Sequence, residues 1–230
     1  MSKIAIMGAM PEEIEPLLEK VENINKVEYA NNSYYEATYK GKELVIAYSK
    51  IGKVFSTLTA STLLEKFGCS TLLFSGVAGA INPNLKIGDL IIADKLCQHD
   101  LDITVFGHPH GFVPEGAVFV ETDENLRMLG KEVASKNGLS VIEGTIATGD
   151  QFVASSERKA FIESTFEADA LEMEGASVAV VCNALNVPFF ILRAISDTAN
   201  DDAGMDFDEF MIGSAKISAN FILDMVESIE

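Results

Sequence analysis

The acidic side chains around one apolar segment are the strongest candidates for chemistry in this chain. Residues 189–197 form an apolar run that contains Arg193 and ends in Asp197. Such a run predicts an interior strand of a parallel sheet, and ligands bind beyond the carboxyl ends of these strands. A buried arginine requires an anionic partner, and Glu172 and Glu174 are the nearest upstream acids. A buried, oriented carboxylate can also accept hydrogen bonds from ligand hydroxyl groups.

Glu13 is a further candidate because of its position on the first predicted helix. The core stripe of that helix, with apolar residues at i, i+3, i+4 and i+7, consists of Ile14, Leu17, Leu18 and Val21. Glu13 borders this stripe, whereas Glu12 lies with Glu15 and Glu19 on the predicted solvated face. Glu13 is therefore expected to point into a pocket.

Each of these acids also has a purely structural interpretation. Glu12 and Glu13 could simply complement the helix dipole in a first turn, and Glu172 and Glu174 could do the same at a later helix. Asp197 could be a loop or cap residue. The residue types alone leave these alternatives open.

Two other motifs carry weaker signals. The loop SGVAG at residues 75–79 could bind a phosphate through backbone N–H groups. It matches neither the GxGxxG motif of dinucleotide-binding proteins nor the Walker A loop. A tight turn, or a close approach of backbone to a bulky ligand, is the plainer interpretation. Residues 99–110 contain His99, His108 and His110, but their spacing fits no standard zinc site. We therefore expect a solvated loop and no metal.

Composition restricts the possible partners and the compartment. The 230 residues carry 35 acids and 17 bases, a formal charge of −18, which opposes binding to nucleic acids or anionic membranes. The cysteines, Cys69, Cys97 and Cys182, are widely spaced in apolar sequence and predict reduced core thiols and a cytoplasmic location. No apolar stretch approaches the ~20 residues of a membrane-spanning helix.

Strands and helices must alternate to position these residues. Strands are predicted at residues 3–7, 71–75, 89–94, 144–148, 168–171 and 189–195, with a hairpin at 34–39 and 43–48. Helices are predicted at residues 11–21, 53–67, 124–137, 157–166, 174–185 and 207–229, and a surface excursion at 97–113. This order predicts one α/β domain over residues 1–230, with a mixed twisted sheet flanked by helices.

Seven motifs together resemble one family. They are GAMPEE (8–13), SKIGKV (49–54), SGVAGA (75–80), DLDITVFGHPHG (100–111), TGDQFV (148–153), LEMEGASVA (171–179) and RAISDTA (193–199). In order and content they resemble the bacterial 5'-methylthioadenosine/S-adenosylhomocysteine nucleosidases over essentially the whole chain. The resemblance implies a single-domain, nucleoside-phosphorylase-like, three-layer α/β fold. It also implies a homodimer without metal or cofactor that hydrolyses N-glycosidic bonds.

The resemblance also implies roles for individual residues. Asp197 matches the acid that protonates N7 of adenine, with Ser196 assisting it, and Glu13 matches the carboxylate that activates water. Glu174 matches the acceptor of the ribose hydroxyls. Cleavage through an oxocarbenium-like state requires one neutral acid and one ionised carboxylate. We expect burial to favour the neutral form of Asp197, and the helix N-terminus to keep Glu13 ionised.

The remaining site residues implied by the resemblance form three groups. Phe152 and Val153 hold the purine, and other substrate contacts are expected from Met10, Ile51, Ala78, Gly79, Glu172, Met173, Arg193, Ala199 and Phe207. The partner subunit is expected to supply Ile103, Phe106, Phe112 and Pro114 near the 5' group. Val77 and Gln151 depart from the common family pattern, which weakens a water contact at Val77 and could alter purine recognition at Gln151.

Three alternative functions follow from the same residues. A phosphorolytic purine nucleoside phosphorylase would need basic residues around its nucleophile, and Glu13 would repel a phosphate dianion. A non-catalytic nucleoside sensor would not need both catalytic carboxylates. The third alternative keeps the chemistry and changes the main substrate to 6-amino-6-deoxyfutalosine, which some relatives with a similar loop at residues 100–111 cleave.

Overall fold

The computed structural model describes residues 3–199 and 203–229, with side chains for all of these except residues 203–209. Its strands form one mixed sheet. They are β1 (Lys3–Gly8), β2 (Glu22–Tyr29), β3 (Asn32–Tyr39), β4 (Lys42–Tyr48), β5 (Cys69–Ala80), β6 (Leu90–Gln98), β7 (Phe119–Glu121), β8 (Val141–Thr148), β9 (Ala170–Glu172) and β10 (Phe189–Asp197).

Helices lie in most of the connections. They are α1 (Pro11–Leu18), α2 (Lys53–Ser61), α3 (Glu124–Lys136), α4 (Ser156–Phe166), α5 (Gly175–Leu185) and α6 (Ala203–Ser228). A π-helical turn at Thr62–Lys66 continues α2, and a 3-10 turn lies at Thr104–Phe106. Among the residues that the structure describes, no helix is both long and apolar enough to cross a bilayer.

The sheet is organised around the long strand β5. It pairs in parallel with β1 and β10 and, near its carboxyl end, antiparallel with β9. β10 also pairs with β6, β6 with β8, and β8 with β9, so these five strands close into a ring. β1 continues the sheet outward through β4, β3 and β2. The ring brings the carboxyl ends of β5, β8, β9 and β10 close together.

Helices cover both faces of the sheet, which gives the three layers. On one face α1, α3 and α6 pack against the sheet, and the ring of Phe190 on β10 stacks on that of Phe221 at 6.3 Å. On the other face α2 and α5 pack on each other and α5 packs on β6 and β8. The prediction of a mixed sheet flanked by helices is therefore confirmed.

Several segments differ from the sequence prediction. The predicted loop at residues 76–80 is the second half of β5, because its small residues allow pairing with β9 and β10 at once. β6 runs on to Gln98, so the irregular excursion begins later than predicted. β2 was not predicted because ENINKVEY has no apolar alternation. It is an exposed edge strand held by its pairing with β3.

Two glycines give a test of the packing between α3 and β10. A Cβ atom on Gly130 would lie 2.8 Å from a ring carbon of Phe190, whereas one on Gly213 in α6 would meet nothing within 4 Å. Gly130→Ala should lower the free energy of unfolding by ~1–2 kcal/mol, because overpacking a buried ring outweighs the gain in helix propensity. Gly213→Ala should raise it by up to ~1 kcal/mol.

Urea unfolding of the two variants and the wild type measures both effects. A stabilised Gly130→Ala variant would contradict the close contact with Phe190.

Candidate active site

A cavity of about 170 Å³ lies where several strands end at one edge of the sheet. Its walls come from residues that follow β1 and β8 and from the carboxyl-terminal parts of β5, β9 and β10. Ligands of α/β sheets bind at this edge. The lining residues are Ala9, Met10, Glu13, Ile51, Val77, Ala78, Gly79, Gln151, Phe152, Val153, Leu171, Glu172, Met173, Glu174, Ser196 and Asp197.

Glu13 enters the cavity from the first turn of α1. Its Oε2 accepts hydrogen bonds from the backbone N–H groups of Ala9 (2.5 Å) and Met10 (3.0 Å), and Oε1 accepts one from Val77 (3.2 Å). Burial raises the pKa of Glu13 above its usual value, while Arg193 and the three N–H donors act in the opposite direction. The expectation that Glu13 simply stays ionised therefore omitted the effect of burial.

Asp197, at the end of β10, accepts hydrogen bonds from a side chain and from the backbone. The Ser196 hydroxyl donates to its Oδ2 at 2.9 Å, and the backbone N–H of Ala199 donates to its Oδ1 at 2.8 Å. Asp197 is buried, and it lines the cavity with Ser196. The Ser196 hydroxyl thus helps to fix the position of the Asp197 carboxyl group.

Two glycines in β5 make room for these carboxyl groups. A Cβ atom on Gly76 would lie 2.8 Å from Oε1 of Glu13, and one on Gly79 would lie 2.6 Å from Oδ1 of Asp197. Three residues of extended strand span ~10 Å. The two carboxyl groups therefore approach β5 at separate points, and both line the cavity.

Arg193 and Glu172 form a buried ion pair at the cavity wall. The Nη2 atom of Arg193 lies 2.6 Å from Oε2 of Glu172, and the guanidinium stacks on the Phe74 ring with its Cζ atom 4.0 Å from the ring centroid. Glu172 is thus the anionic partner that the sequence required. Arg193 does not line the cavity, because these contacts hold its head group behind the wall.

Glu174 immediately precedes α5, and its side chain lines the cavity. Its Oε1 accepts a hydrogen bond from the backbone N–H of Gly52 at 2.8 Å. Gly52 has a φ of 97°, a conformation that favours glycine, and a Cβ atom there would also lie 2.9 Å from Oδ1 of Asp150. Burial, followed by the charge of Glu172, raises the pKa of Glu174 to about 8.

The loop after β8 supplies Phe152 and Val153, and it is anchored to the start of α2. The backbone N–H of Asp150 donates to Asp100 at 2.8 Å, and the Asp150 carboxylate accepts from the backbone N–H of Lys53 at 2.7 Å. Lys53 also forms a 2.7 Å ion pair with Asp100. These bonds fix the loop that carries Phe152 and Val153 into the cavity.

The histidine-rich segment serves other contacts. Arg158 donates to both Nδ1 and the backbone oxygen of His99 at 2.9 Å, and burial together with Arg158 lowers the pKa of His99 to about 4. His108 stacks on Phe112 with ring centroids 4.6 Å apart. Within residues 3–199 and the described part of α6, no three His, Cys, Asp or Glu side chains are grouped to hold a metal ion.

The structure brings most of the predicted site residues together. The two catalytic candidates, Glu13 and Asp197, line the cavity. So do the predicted substrate contacts in the segments after β1 and β8 and on β5, β9 and β10, apart from Arg193 and Ala199. Ala199 is buried and contributes its N–H group to Asp197. The side chain of Phe207 lies outside the described residues. The four residues predicted to come from a partner, Ile103, Phe106, Phe112 and Pro114, do not line this cavity.

Four lining residues were absent from the predicted set. They are Ala9, Val77, Gln151 and Leu171. Ala9 and Leu171 are direct neighbours of predicted residues, so the turn after β1 and the end of β9 could have indicated them. Val77 and Gln151 were noted only as departures from the family pattern. Their place in the cavity wall makes those departures part of the site.

The close contact between Gly79 and Asp197 can be tested directly. The family resemblance gives Asp197 the role of proton donor, so Gly79→Ala should lower the rate of N-glycosidic bond hydrolysis at least ~10-fold, because the new Cβ atom displaces the Asp197 carboxyl group. Gly116→Ala is the matched control, since its nearest contact would be an ordinary 3.4 Å. Full activity in Gly79→Ala would contradict this placement of Asp197.

Comparison with known proteins places the chain in a family. The family model of the phosphorylase superfamily matches residues 3–227. An aminodeoxyfutalosine nucleosidase from Campylobacter jejuni is 61% identical over 229 residues, with 100% of both chains covered. The crystal structure of a 5'-methylthioadenosine/S-adenosylhomocysteine nucleosidase from the same species gives a TM-score of 0.96 at 61% identity, again covering 100% of both chains. The Helicobacter pylori nucleosidase, complexed with an aminopyrrolopyrimidine joined to a pyrrolidine, gives 0.97 at 50% identity and covers 99% of both chains. The chain therefore belongs to the phosphorylase superfamily and, within it, to the nucleosidases that hydrolyse N-glycosidic bonds.

Proposed function

We propose that this protein hydrolyses the bond between ribose and adenine in 5'-methylthioadenosine and S-adenosylhomocysteine. The observation that carries the proposal is the pair of buried carboxyl groups, Glu13 and Asp197, at separate points of one cavity wall. Hydrolysis of a glycosidic bond with an activated water needs two such groups, with space between them for the sugar and the water.

Each proposed role follows from the contacts of the side chain. Asp197 delivers a proton to N7 of adenine as the bond from C1' of the sugar to N9 breaks, and Ser196 orients its carboxyl group. A water molecule attacks C1', and Glu13 takes the proton that this water loses. The three N–H groups around Glu13 fix its carboxylate for this task. Glu174 accepts hydrogen bonds from the ribose hydroxyls.

The proposed adenine site lies beside Asp197. Phe152 provides an exposed ring on which a purine can stack, and buried Val153 contributes backbone groups beside it. Gln151 lies next to both and adds an amide to the rim of the cavity. Because Asp197 is reached from the same cavity, a purine held by this loop can present N7 to it.

A second candidate substrate is 6-amino-6-deoxyfutalosine. The observation that favours it is the name of the Campylobacter jejuni relative, an aminodeoxyfutalosine nucleosidase that is 61% identical over the whole chain. This nucleoside and the two thioadenosines share the adenine and the ribose and differ at the 5' end. Glu13, Glu174 and Asp197 would therefore act in the same way on all of them.

The proposed substrates are ranked by kcat/KM on the purified protein. We expect adenine release from the 5'-substituted nucleosides to exceed that from adenosine by at least ~10-fold, because the apolar 5' group adds buried surface. Asp197→Asn is the catalytically disabled control and should lose ~10²–10⁴-fold in kcat while still binding substrate. A sugar 1-phosphate among the products in phosphate buffer would contradict hydrolysis.

We also propose that the active unit is a homodimer in the cytoplasm. Apolar side chains on the start of α2 and on the excursion after β6 are exposed: Val54 by 76%, Phe55 by 46%, Leu58 by 44% and Phe106 by 78%. Exposed apolar groups of this kind mark contact surfaces. The described cysteines, Cys69, Cys97 and Cys182, are free and buried, which supports a reducing compartment.

The proposed contribution of the partner subunit can be tested at Phe106. Phe106→Ala should raise KM for 5'-methylthioadenosine ~5-fold or more with little change for adenosine, because the ring would cover the 5' group of the neighbouring site. Leu139→Ala, which also removes an exposed apolar side chain, is the control. Light scattering at assay concentration gives the oligomeric state. A fully active monomer would rule out the shared site.

A further inference from the structure

Three glutamates surround a single guanidinium beside the cavity. Glu13, Glu172 and Glu174 are 2%, 6% and 6% exposed, and Arg193 is 1% exposed. Fully ionised carboxylates would leave this group with an excess of two negative charges, because three acids face one base. Burying uncompensated charge is expensive, so a cluster of this composition favours holding a proton.

Glu172 is the member of the cluster that accepts the most hydrogen bonds. Its Oε2 accepts from Arg193 (2.6 Å) and from the backbone N–H groups of Gly175 (2.7 Å) and Glu174 (3.2 Å). Its Oε1 accepts from the Thr148 hydroxyl at 2.5 Å. That hydroxyl accepts the N–H of Ala176, so its own hydrogen is directed to Glu172. Four donors therefore fix the position of the Glu172 carboxyl group.

Glu174 is much less well compensated. In the part of the chain that the structure describes, its carboxyl group accepts one hydrogen bond, from the backbone N–H of Gly52. The groups that face it are Glu172 on β9, Glu13 on α1 and Arg193 on β10. The guanidinium of Arg193 is already engaged by Glu172. Burial, followed by the charges of Glu172 and Glu13, raises the pKa of Glu174 to about 8.

We propose that burial and the charge of Glu172, which acts as a positioning residue, make Glu174 hold a proton in the empty site, and that binding of a ribose diol releases this proton. The inference rests on the proposed function, in which Glu174 accepts the ribose hydroxyls. Two hydroxyl donors stabilise the ionised carboxylate, and a protonated carboxyl group cannot accept from both equally well. Binding of the sugar therefore supplies donors beyond the single N–H group that the described residues provide to Glu174.

The size of the effect follows from the pKa of about 8. At pH 7, below this raised pKa, Glu174 is mainly protonated in the empty site, so binding of a riboside releases up to about one proton from this residue. Below that pKa, affinity for the riboside should rise by up to ~10-fold per pH unit. A ligand without the diol should show neither effect.

Isothermal titration calorimetry in two buffers of different ionisation enthalpy counts the released protons. The probes are formycin A, an adenosine analogue whose carbon–carbon glycosidic bond cannot be hydrolysed, and its 2',3'-dideoxy derivative. Proton exchange at Asp197 and at the base is common to both probes and cancels in their difference. At pH 7 formycin A should release ~0.5–1 more proton than the dideoxy probe. Equal release would overturn the proposal.

The role of Glu172 is tested by Glu172→Gln, which keeps the shape but removes the charge. Without that charge Glu174 should ionise in the empty site, and the difference between the two probes should fall by at least about half. Glu12→Gln, on the exposed side of α1, is the matched control and should leave the difference unchanged. An unchanged difference in Glu172→Gln would contradict the positioning role.

Circular dichroism and the pH dependence of binding distinguish the possible outcomes. If Glu172→Gln does not fold, as judged by circular dichroism, the pH dependence of the wild-type dissociation constants decides. Affinity for formycin A must then rise between pH 6 and pH 7 relative to the dideoxy probe, and parallel curves would refute the proposal. Failure of both probes to bind at all would instead count against the proposed nucleosidase function.

Discussion

The buried ion pair between Arg193 and Glu172 is the interaction on which the site depends. Glu172 receives Arg193 from β10, the Thr148 hydroxyl from β8 and two N–H groups at the start of α5. One carboxylate thus ties β8, β9, β10 and α5 together at the cavity wall. Removing one partner of a buried pair typically costs ~3–5 kcal/mol, because the other charge is left uncompensated. The pair is therefore as much a constraint on the fold as a feature of the site.

The other three carboxyl groups differ in the donors that surround them. Glu13 has three backbone N–H groups, Asp197 is held by the Ser196 hydroxyl and the N–H of Ala199, and Glu174 is held by the N–H of Gly52. Donors stabilise an ionised carboxylate, and burial opposes ionisation. One apolar cavity can therefore hold acids with different tendencies to ionise, as hydrolysis of a glycosidic bond requires.

Much of this arrangement was predictable because it follows from local pattern. The apolar run at β10, the arginine that needed a partner and the stripe on α1 indicated where Arg193, Asp197 and Glu13 lie. Choosing Glu172 over Glu174 as the partner of Arg193 was not possible, because the choice depends on the bonds to Thr148 and Gly175. Burial of Glu13 was likewise a tertiary effect. The strand character of residues 76–80 depends on pairing with two distant segments.

The outer hairpin of the sheet, formed by β2 and β3, offers a place to attach a label. β2 and β3 are joined by a two-residue turn, Ala30 and Asn31, both with positive φ, as tight hairpin turns require. β2 is an edge strand, and its exposed charges, including the Lys26–Glu28 pair, discourage pairing with the edges of other molecules. No residue of this hairpin lines the cavity. Its turn is a permissive position for a peptide tag or fluorophore that would report on the enzyme without entering its chemistry.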